Sequence, residues 1–234
     1  MSTADPFEGE VHTLMFDLYG TLVDMQGGLT QTVTPYLKHK GWSGRPDALV
    51  TWWRRAHFES SMIDALLHRE HTPYREISRG ALAYALERAE IDHTAEEVRT
   101  LVSQIEKLKP FRDVGPALKK LKARYQLAIL SNGDSDMLRA AKPHLPAQFD
   151  RIISAGEAGS FKPHVATYRL AAELVGCPPD SILFVASHTF DCVGAKAYGM
   201  RTCFVNRSKR PFGDWPYQPD LIVGDFAELA DALT

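Results

Sequence analysis

The chain has 234 residues, of which 44% are hydrophobic and 24% are charged, and its formal net charge is -2 at pH 7. This composition is typical of a globular protein and gives no basic surface for nucleic acid or an anionic membrane. No apolar run approaches the roughly 18 residues that span a bilayer, and residues 1–10 lack the apolar centre of a signal peptide. Three cysteines without metal-type spacing favour reduced thiols and a cytoplasmic protein.

Six short apolar runs predict the buried strands of a parallel sheet. They lie at residues 14–16, 127–130, 151–154, 182–186, 202–205 and 221–223. Helical patterns separate most of these runs, for example over residues 114–124 and 167–174. Alternation of this kind indicates right-handed crossovers, and therefore an α/β fold with a doubly wound parallel sheet.

One interval breaks this alternation, because residues 25–108 contain helical patterns but no strand candidate. Thr94, followed by Glu96 and Glu97, has the pattern of a helix start with acidic residues in its first turn. The interval is too long for a simple loop. We therefore predict a helical cap domain at residues 25–108, inserted into a core domain made of residues 1–24 and 109–234.

Polar residues follow four of the predicted strands. Asp17 follows the first strand, Ser131 and Asn132 follow the second, Lys162 lies in the loop after the third, and residues 188–191 follow the fourth. Each position alone is a weak signal, because serine and asparagine before glycine are common turn residues. The carboxyl ends of parallel strands open onto one crevice, so the four positions together predict a single site.

Several segments together resemble the haloacid dehalogenase superfamily, and within it the type II 2-haloacid dehalogenases. They are FDLYGTL at residues 16–22, LSNG at 130–133, FKP at 161–163 with Tyr168, residues 184–191, Trp53 with Arg54 in the predicted cap, and residues 194–199 and 202–207. The resemblance covers nearly the whole chain. It implies a Rossmann-like core with an inserted helical cap, a hydrolase acting on carbon–halogen bonds, and the homodimer that many members form.

The resemblance implies that Asp17 is a nucleophile. Its carboxylate attacks the halogen-bearing carbon of a short L-2-haloacid, and water hydrolyses the resulting ester to a 2-hydroxy acid. The halide carries its charge away, so no general acid, metal or other cofactor is expected. The plain alternative for an aspartate after a strand is a helix N-cap.

Two positions argue against the Mg²⁺-dependent phosphatases of the same superfamily, which remain the alternative function. Those enzymes have an acid two residues after the nucleophile, where this chain has Tyr19, and a phenol at neutral pH cannot replace it. They also have an acid four residues before the position of Asp191, where this chain has Ser187. A non-catalytic binding protein on the same fold is a third possibility.

The family pattern assigns supporting roles around the nucleophile. Lys162 holds Asp17 and keeps it ionised, and Thr21 hydrogen-bonds this carboxylate or the oxyanion that develops from it. Asp191 pairs with Lys162 or positions the hydrolytic water. Tyr168 supports this polar network, although a tyrosine of the core is the plain alternative.

Further residues are expected to bind the substrate. Ser131 and Asn132 resemble the pair that binds the substrate carboxylate. Arg54, with Arg55 beside it as a competitor, resembles the arginine that cradles the departing halide. The expected pocket walls are Leu18, Tyr19, Phe58, Tyr74 and Phe190.

The fourth motif departs from the family pattern at His188, where well-known type II dehalogenases have an asparagine. An imidazole is bulkier than this amide and can gain or lose a proton near neutral pH. A protonated His188 next to Arg54 would form a tight cationic pocket for a small anion such as fluoride. A neutral His188 would act as general base in ester hydrolysis, and a third possibility is that it only fills volume.

Overall fold

The computed structural model describes residue 7, residues 9–67 and residues 70–234. Most of residues 1–10, which are predicted not to form a signal peptide, therefore lie outside the described residues. The strands are β1 Thr13–Phe16, β2 Gln126–Ser131, β3 Arg151–Ser154, β4 Ile182–Ala186, β5 Arg201–Val205 and β6 Leu221–Val223. All pairs are parallel, and the order is β3-β2-β1-β4-β5-β6. This order, which runs outward from β1 in both directions, confirms the predicted doubly wound α/β fold.

The interval between β1 and β2 is helical, and the described part of residues 25–108 contributes no strand to the sheet. Its helices are α1 Met25–His39, α2 Pro46–Leu66, α3 Tyr74–Arg88 and α4 Ala95–Ser103, followed by a 3-10 helix at Gln104–Lys107. The division into a core at residues 1–24 and 109–234 and a cap at 25–108 stays a prediction.

The remaining helices lie directly before β2, between the later strands, or after the last strand. They are α5 Val114–Leu121, α6 Ser135–Ala141, α7 Val165–Val175, α8 Thr189–Tyr198 and α9 Phe226–Leu233, with 3-10 helices at Lys142–His144, Ala155–Ala158 and Pro179–Ser181. No helix in the described ranges has both the length and the apolarity needed to cross a membrane.

Strand β1 is buried on both faces, which explains its continuous apolar sequence. Leu14 and Phe16 belong to one hydrophobic cluster, whereas Met15 between them belongs to a second cluster on the other side of the sheet. The strand therefore has a fixed register, and the residue that follows it, Asp17, leaves the sheet in a defined direction.

Two features fix the helices that come before β2. Thr94 and Glu97 form a reciprocal capping box at the start of α4, which confirms the predicted helix start. Helix α3 has no side-chain cap of its own, and the Asp134 carboxylate, after β2, accepts hydrogen bonds from the backbone N–H groups of Tyr74 (2.7 Å) and Arg75 (3.0 Å). The N-terminus of α3 is thus attached to the carboxyl edge of the sheet.

Candidate active site

Asp17 occupies the exit of the central strand and is 6% exposed. Thr21 donates a hydrogen bond from Oγ1 to Asp17 Oδ2 (2.7 Å) and accepts one from the backbone N–H of Ser187 (2.9 Å). Gly20 allows the tight turn between Asp17 and Thr21, since its φ of 90° is strained for other residues. Thr21 therefore joins the ends of β1 and β4 and fixes one carboxylate oxygen.

Lys162 is 1% exposed and lies between two carboxylates. Its Nζ donates to Asp17 Oδ1 (2.9 Å), to Asp191 Oδ2 (2.7 Å) and to the backbone oxygen of Leu130 (3.0 Å). The second oxygen of Asp191 accepts a hydrogen bond from the Tyr168 hydroxyl (2.7 Å). The three donors of the ammonium are all used, so its position relative to Asp17 is well defined.

The electrostatics of this cluster separate the two carboxyl groups. Burial raises the pKa of Asp17, but the Lys162 charge, His188 and the Thr21 hydroxyl outweigh burial and hold this pKa well below its usual range. Burial dominates at Asp191 and, together with the charge of Asp17, raises its pKa above the usual value despite Lys162. Asp17 is therefore ionised at neutral pH, as a carboxylate nucleophile must be.

A pocket of about 300 Å³ opens above Asp17, between the carboxyl edge of the sheet and helices α1 to α3. This volume fits a small molecule. It is lined by Asp17, Tyr19, Met25, Arg54, His57, Phe58, Ser61, Tyr74, Asn132, Lys162, His188 and Phe190.

Helix α2 supplies one side of the pocket through residues spaced three and four apart. Arg54, His57, Phe58 and Ser61 share this face because such spacings return to the same side of a helix. Arg54 donates from Nη1 to the side-chain oxygen of Gln26 on α1 (2.9 Å), which holds the guanidinium over the pocket.

Two rows of rings flank the pocket. In the first row, Tyr74 stacks on Tyr19 with ring centroids 5.6 Å apart and contacts the ring of His57 at 4.2 Å. This row runs from the loop after β1 to helix α2.

In the second row, Phe190 lies between Phe58 (4.7 Å) and His188 (5.5 Å). His188 Nδ1 is 3.3 Å from Asp17 Oδ2. A side chain at Gly20 would meet both His188 Nε2 and Arg54 Nη2, so this glycine makes room for the two groups near the carboxylate.

Comparison with known proteins gives the family. The model of haloacid dehalogenase-like hydrolases matches residues 11–199, which is more than half of the chain. The chain belongs to this family. The haloacid dehalogenase-like hydrolase described here is 34% identical over 199 residues to an (S)-2-haloacid dehalogenase of Xanthobacter autotrophicus, with 84% of this chain and 76% of that protein covered. It is 30% identical over 217 residues to haloacetate dehalogenase H-2 of Moraxella sp. (strain B), with 92% and 94% covered.

Solved structures agree with this assignment. The L-2-haloacid dehalogenase RSc1362 superposes with a TM-score of 0.88 at 27% identity, covering 96% of this hydrolase and 99% of that chain. The Xanthobacter autotrophicus L-2-haloacid dehalogenase with chloropropionic acid covalently bound gives 0.82 at 28% identity, with 94% and 97% covered. The defluorinating L-2-haloacid dehalogenase Rha0230 gives 0.85 at 26% identity, with 100% and 99% covered. The predicted resemblance to this family is confirmed.

Most of the residues expected at the site of this hydrolase do come together. The sheet side of the pocket is lined by Asp17, Asn132, Lys162 and His188. Arg54 lines the pocket from α2. The expected wall residues Tyr19, Phe58, Tyr74 and Phe190 line it as well. Their chemical roles stay predictions.

Two residues expected in the pocket lie elsewhere. Arg55 lies on the solvent side of α2, with its side chain 70% exposed, and pairs with Glu59 at 3.0 Å. One residue corresponds to about 100° around a helix, which turns Arg55 away when Arg54 faces the pocket. Leu18 does not line the pocket, because its side chain packs into the hydrophobic core from the turn after β1.

Other predicted residues sit beside the pocket. Ser131 is fully buried, and its hydroxyl accepts a hydrogen bond from the backbone N–H of Gly133 (3.2 Å), so it shapes the turn. Asn132 Oδ1 accepts from the backbone N–H of Lys162 (2.8 Å), which leaves its amide donors available to a ligand. Tyr168 contacts Asp191 and thereby reaches Lys162 only indirectly.

The sequence analysis did not anticipate Met25, Gln26, His57 and Ser61. For His57 and Ser61, the available signal was their spacing of three and seven residues from Arg54 along a helical pattern. For Gln26, which contacts Arg54 across two helices, no local pattern gives the contact.

Asp17, His188 and Asp191 place ligand atoms within 4.8 Å of one another, a cluster compact enough to consider for a cation. The Lys162 ammonium already bonds both of these carboxylates. A divalent cation bound by both carboxylates would have to displace Lys162, so the donor set does not fit a metal centre of the phosphatase type.

Proposed function

We propose that this protein hydrolyses short L-2-haloacids to 2-hydroxy acids and halide through an ester on Asp17, without a metal cofactor. The observation that carries the proposal is the ionised Asp17 carboxylate, held by Lys162 and facing a small pocket that Arg54 covers. The names of the relatives, (S)-2-haloacid and haloacetate dehalogenases, support the carbon–halogen bond as the target.

In the first step, an Asp17 oxygen attacks C2 of the substrate from the side opposite to the halogen. The new O–C2 bond forms as the carbon–halogen bond breaks, and its electron pair leaves with the halide. Arg54 is a delocalised cation under partly apolar walls, and it stabilises this forming anion better than it would in bulk water. The Asn132 amide is available to bind the substrate carboxylate. Configuration at C2 is inverted.

In the second step, water attacks the carbonyl carbon of the Asp17 ester. The acyl–oxygen bond breaks, the 2-hydroxy acid leaves, and the carboxylate is regenerated with net release of one proton. Two donors are placed to stabilise the oxyanion that forms on the Asp17 carboxyl group in this step. They are the Thr21 hydroxyl, 2.7 Å from Asp17 Oδ2, and the Lys162 ammonium, 2.9 Å from Asp17 Oδ1. The covalently bound chloropropionic acid in the Xanthobacter neighbour supports a covalent route.

The role of His188 is part of this proposal and has two candidate forms. Its contact with Asp17 supports a general base that takes a proton from the hydrolytic water. His188 and Arg54 both lie over Gly20, which supports a compact halide site, including one for fluoride. In a His188→Asn variant, loss of a base leaves the ester to accumulate, whereas loss of a halide ligand slows ester formation. Mass spectrometry of quenched enzyme separates the two, with 2-chloropropionate and fluoroacetate as substrates.

The main test is halide release from (S)- and (R)-2-chloropropionate with and without EDTA. We expect release from the (S) substrate only, with no loss in EDTA. The Asp17→Asn variant, once checked for deamidation to aspartate, should release no halide. The Asp92→Asn variant, changed at an exposed position, should still release halide. In a single turnover in ¹⁸O-water, the label should enter Asp17 and not the product. EDTA-sensitive hydrolysis of phosphate monoesters without halide release would instead establish the phosphatase alternative.

The same proposal includes the domain division, since the pocket combines residues of 1–24 and 109–234 with residues of 25–108. It also includes a cytoplasmic location and a homodimer, as the family resemblance suggests. Sedimentation velocity of the purified chain measures the oligomeric state directly.

A further inference from the structure

His57 is a buried polar residue that the proposed dehalogenation does not use. It is 8% exposed, it lines the pocket, and neither of its ring nitrogens has a hydrogen-bond partner within the described structure. Burying polar atoms without partners is costly, and such atoms in native structures usually call for an explanation. A ligand in the pocket would supply the missing partners.

The imidazole of His57 is neutral at ordinary pH. Burial and, to a smaller extent, the positive charge of Arg54 lower its pKa to about 3. A neutral imidazole offers one N–H donor and one acceptor nitrogen. It therefore suits a neutral group that can accept and donate, such as a hydroxyl or a primary amide, better than a second carboxylate.

The position of His57 fits the far end of a bound substrate. It ends the row of rings that begins at Tyr19, two residues after the nucleophile, and only the ring of Tyr74 separates them. The second row offers apolar Phe58 at the corresponding end. A carbon chain that starts at Asp17 and extends along Tyr74 would reach the imidazole of His57 at the end of that row.

We propose that His57 is a specificity-determining residue that selects 2-haloacids whose carbon chain carries a neutral hydrogen-bonding group, a hydroxyl or an amide. The inference rests on the proposed dehalogenase function and names its substrate class. An apolar pocket barely distinguishes a hydroxyl from a methyl group, whereas a site with buried hydrogen-bonding groups penalises the apolar analogue because they stay unpaired.

Two pairs of substrates with similar shapes test this. The first pair is (S)-2-chloro-3-hydroxypropionate with (S)-2-chlorobutyrate, and the second is (S)-2-chloro-3-carbamoylpropionate with (S)-2-chloro-4-methylpentanoate. We expect the polar member of at least one pair to have the higher kcat/KM, by about tenfold, as for one well-placed hydrogen bond and its unpaired alternative. His57→Leu should bring this ratio to about one or below.

His57→Gln keeps a donor and an acceptor and should retain a preference for the polar substrate, whereas a purely structural role would not separate Gln from Leu in this ratio. His39→Leu, the same change at an exposed histidine, should leave the ratio unchanged. Equal kcat/KM within both pairs, or a ratio that His57→Leu does not alter, would overturn the inference. Absence of chloride release from all four compounds and from 2-chloropropionate would instead refute the dehalogenase function itself.

Discussion

At the level of single residues, Lys162 organises the floor of the pocket. Its ammonium bonds two carboxylates whose pKa values move in opposite directions, and the more accessible of the two, Asp17, is the one kept ionised. Burial lowers the pKa of Lys162, but the two carboxylates outweigh burial and raise it, so the cation persists. The arrangement depends on all three members, because each buried charge would be costly alone.

Lys162→Met should therefore destabilise the protein by about 3 kcal/mol or more, since it leaves buried carboxylates without their cation. Ester formation should fall by about 100-fold or more, and its dependence on pH should shift upward because the pKa of Asp17 rises without Lys162. Urea denaturation and quenched-flow mass spectrometry between pH 4 and pH 8 measure both effects. Lys119→Met, at an exposed position, is the control. Unchanged stability in Lys162→Met would contradict the role of the ammonium.

Arg54 and Arg55 form a natural matched pair, because they are adjacent and face opposite environments. Arg54→Gln should lower kcat for chloride release by about 100-fold, as expected for loss of one group that stabilises the developing anion. Arg55→Gln should change kcat little, since its exposed ion pair with Glu59 contributes weakly. Initial rates of halide release decide the matter, and equal losses in the two variants would refute the placement of the halide near Arg54.

At the level of elements, the attachment of α3 to the sheet edge controls how Tyr74 enters the pocket. Asp134 accepts from the first two N–H groups of this helix, where a carboxylate also interacts favourably with the helix dipole. Asp136 reaches the same region through an ion pair with Arg75, but its side chain is 53% exposed. We therefore expect Asp134 to contribute more to the stability of the protein than Asp136 does.

Asp134→Ala should lower the free energy of unfolding by about 1–2 kcal/mol, the usual effect of removing a helix cap. It should also reduce kcat/KM, because the start of α3 carries Tyr74. Asp136→Ala should cost less than about 1 kcal/mol, as for exposed ion pairs. Urea denaturation followed by circular dichroism gives the comparison. A larger loss for Asp136→Ala would contradict the capping role of Asp134.

At the level of the whole molecule, several carboxyl groups should make the fold sensitive to acid. In the folded state three carboxyl groups have pKa values below their usual values, each through contact with a lysine. Asp17 contacts Lys162, Glu97 contacts Lys40, and Asp150 contacts Lys122. A lowered pKa means that the unfolded chain binds more protons. The stabilisation is complete above the unfolded pKa and is lost as pH falls through the folded pKa.

The free energy of unfolding should therefore fall as the pH is lowered from about 5 to about 2. Asp191 acts in the opposite direction, because its raised pKa favours the folded state at low pH, so it offsets part of the loss. Urea denaturation at a series of pH values measures the net effect. High salt should screen the exposed Lys122–Asp150 pair and leave the buried Asp17–Lys162 pair largely intact. A free energy of unfolding that rises as the pH is lowered through this interval would contradict the prediction.

The sequence by itself determined the strands of the sheet and the position of Asp17 at the exit of the first strand. Continuous apolar runs such as residues 14–16 predict strands that are buried on both faces, as β1 is, and Asp17 after this run lies at the carboxyl edge of the sheet. The same local logic gave the helix start at Thr94, because a capping box is a contact within one turn.

Only the tertiary structure decided which neighbouring side chains face the pocket. In the structure Arg54 faces the pocket, whereas Arg55 faces solvent and Leu18 lies in the core. The structure also shows that His57 lines the pocket and that Gln26 contacts Arg54. Adjacent residues of the same type carry the same local signal, and helix phase alone does not say what packs against each face. Those facts depend on contacts between elements far apart in the chain, which no short pattern contains.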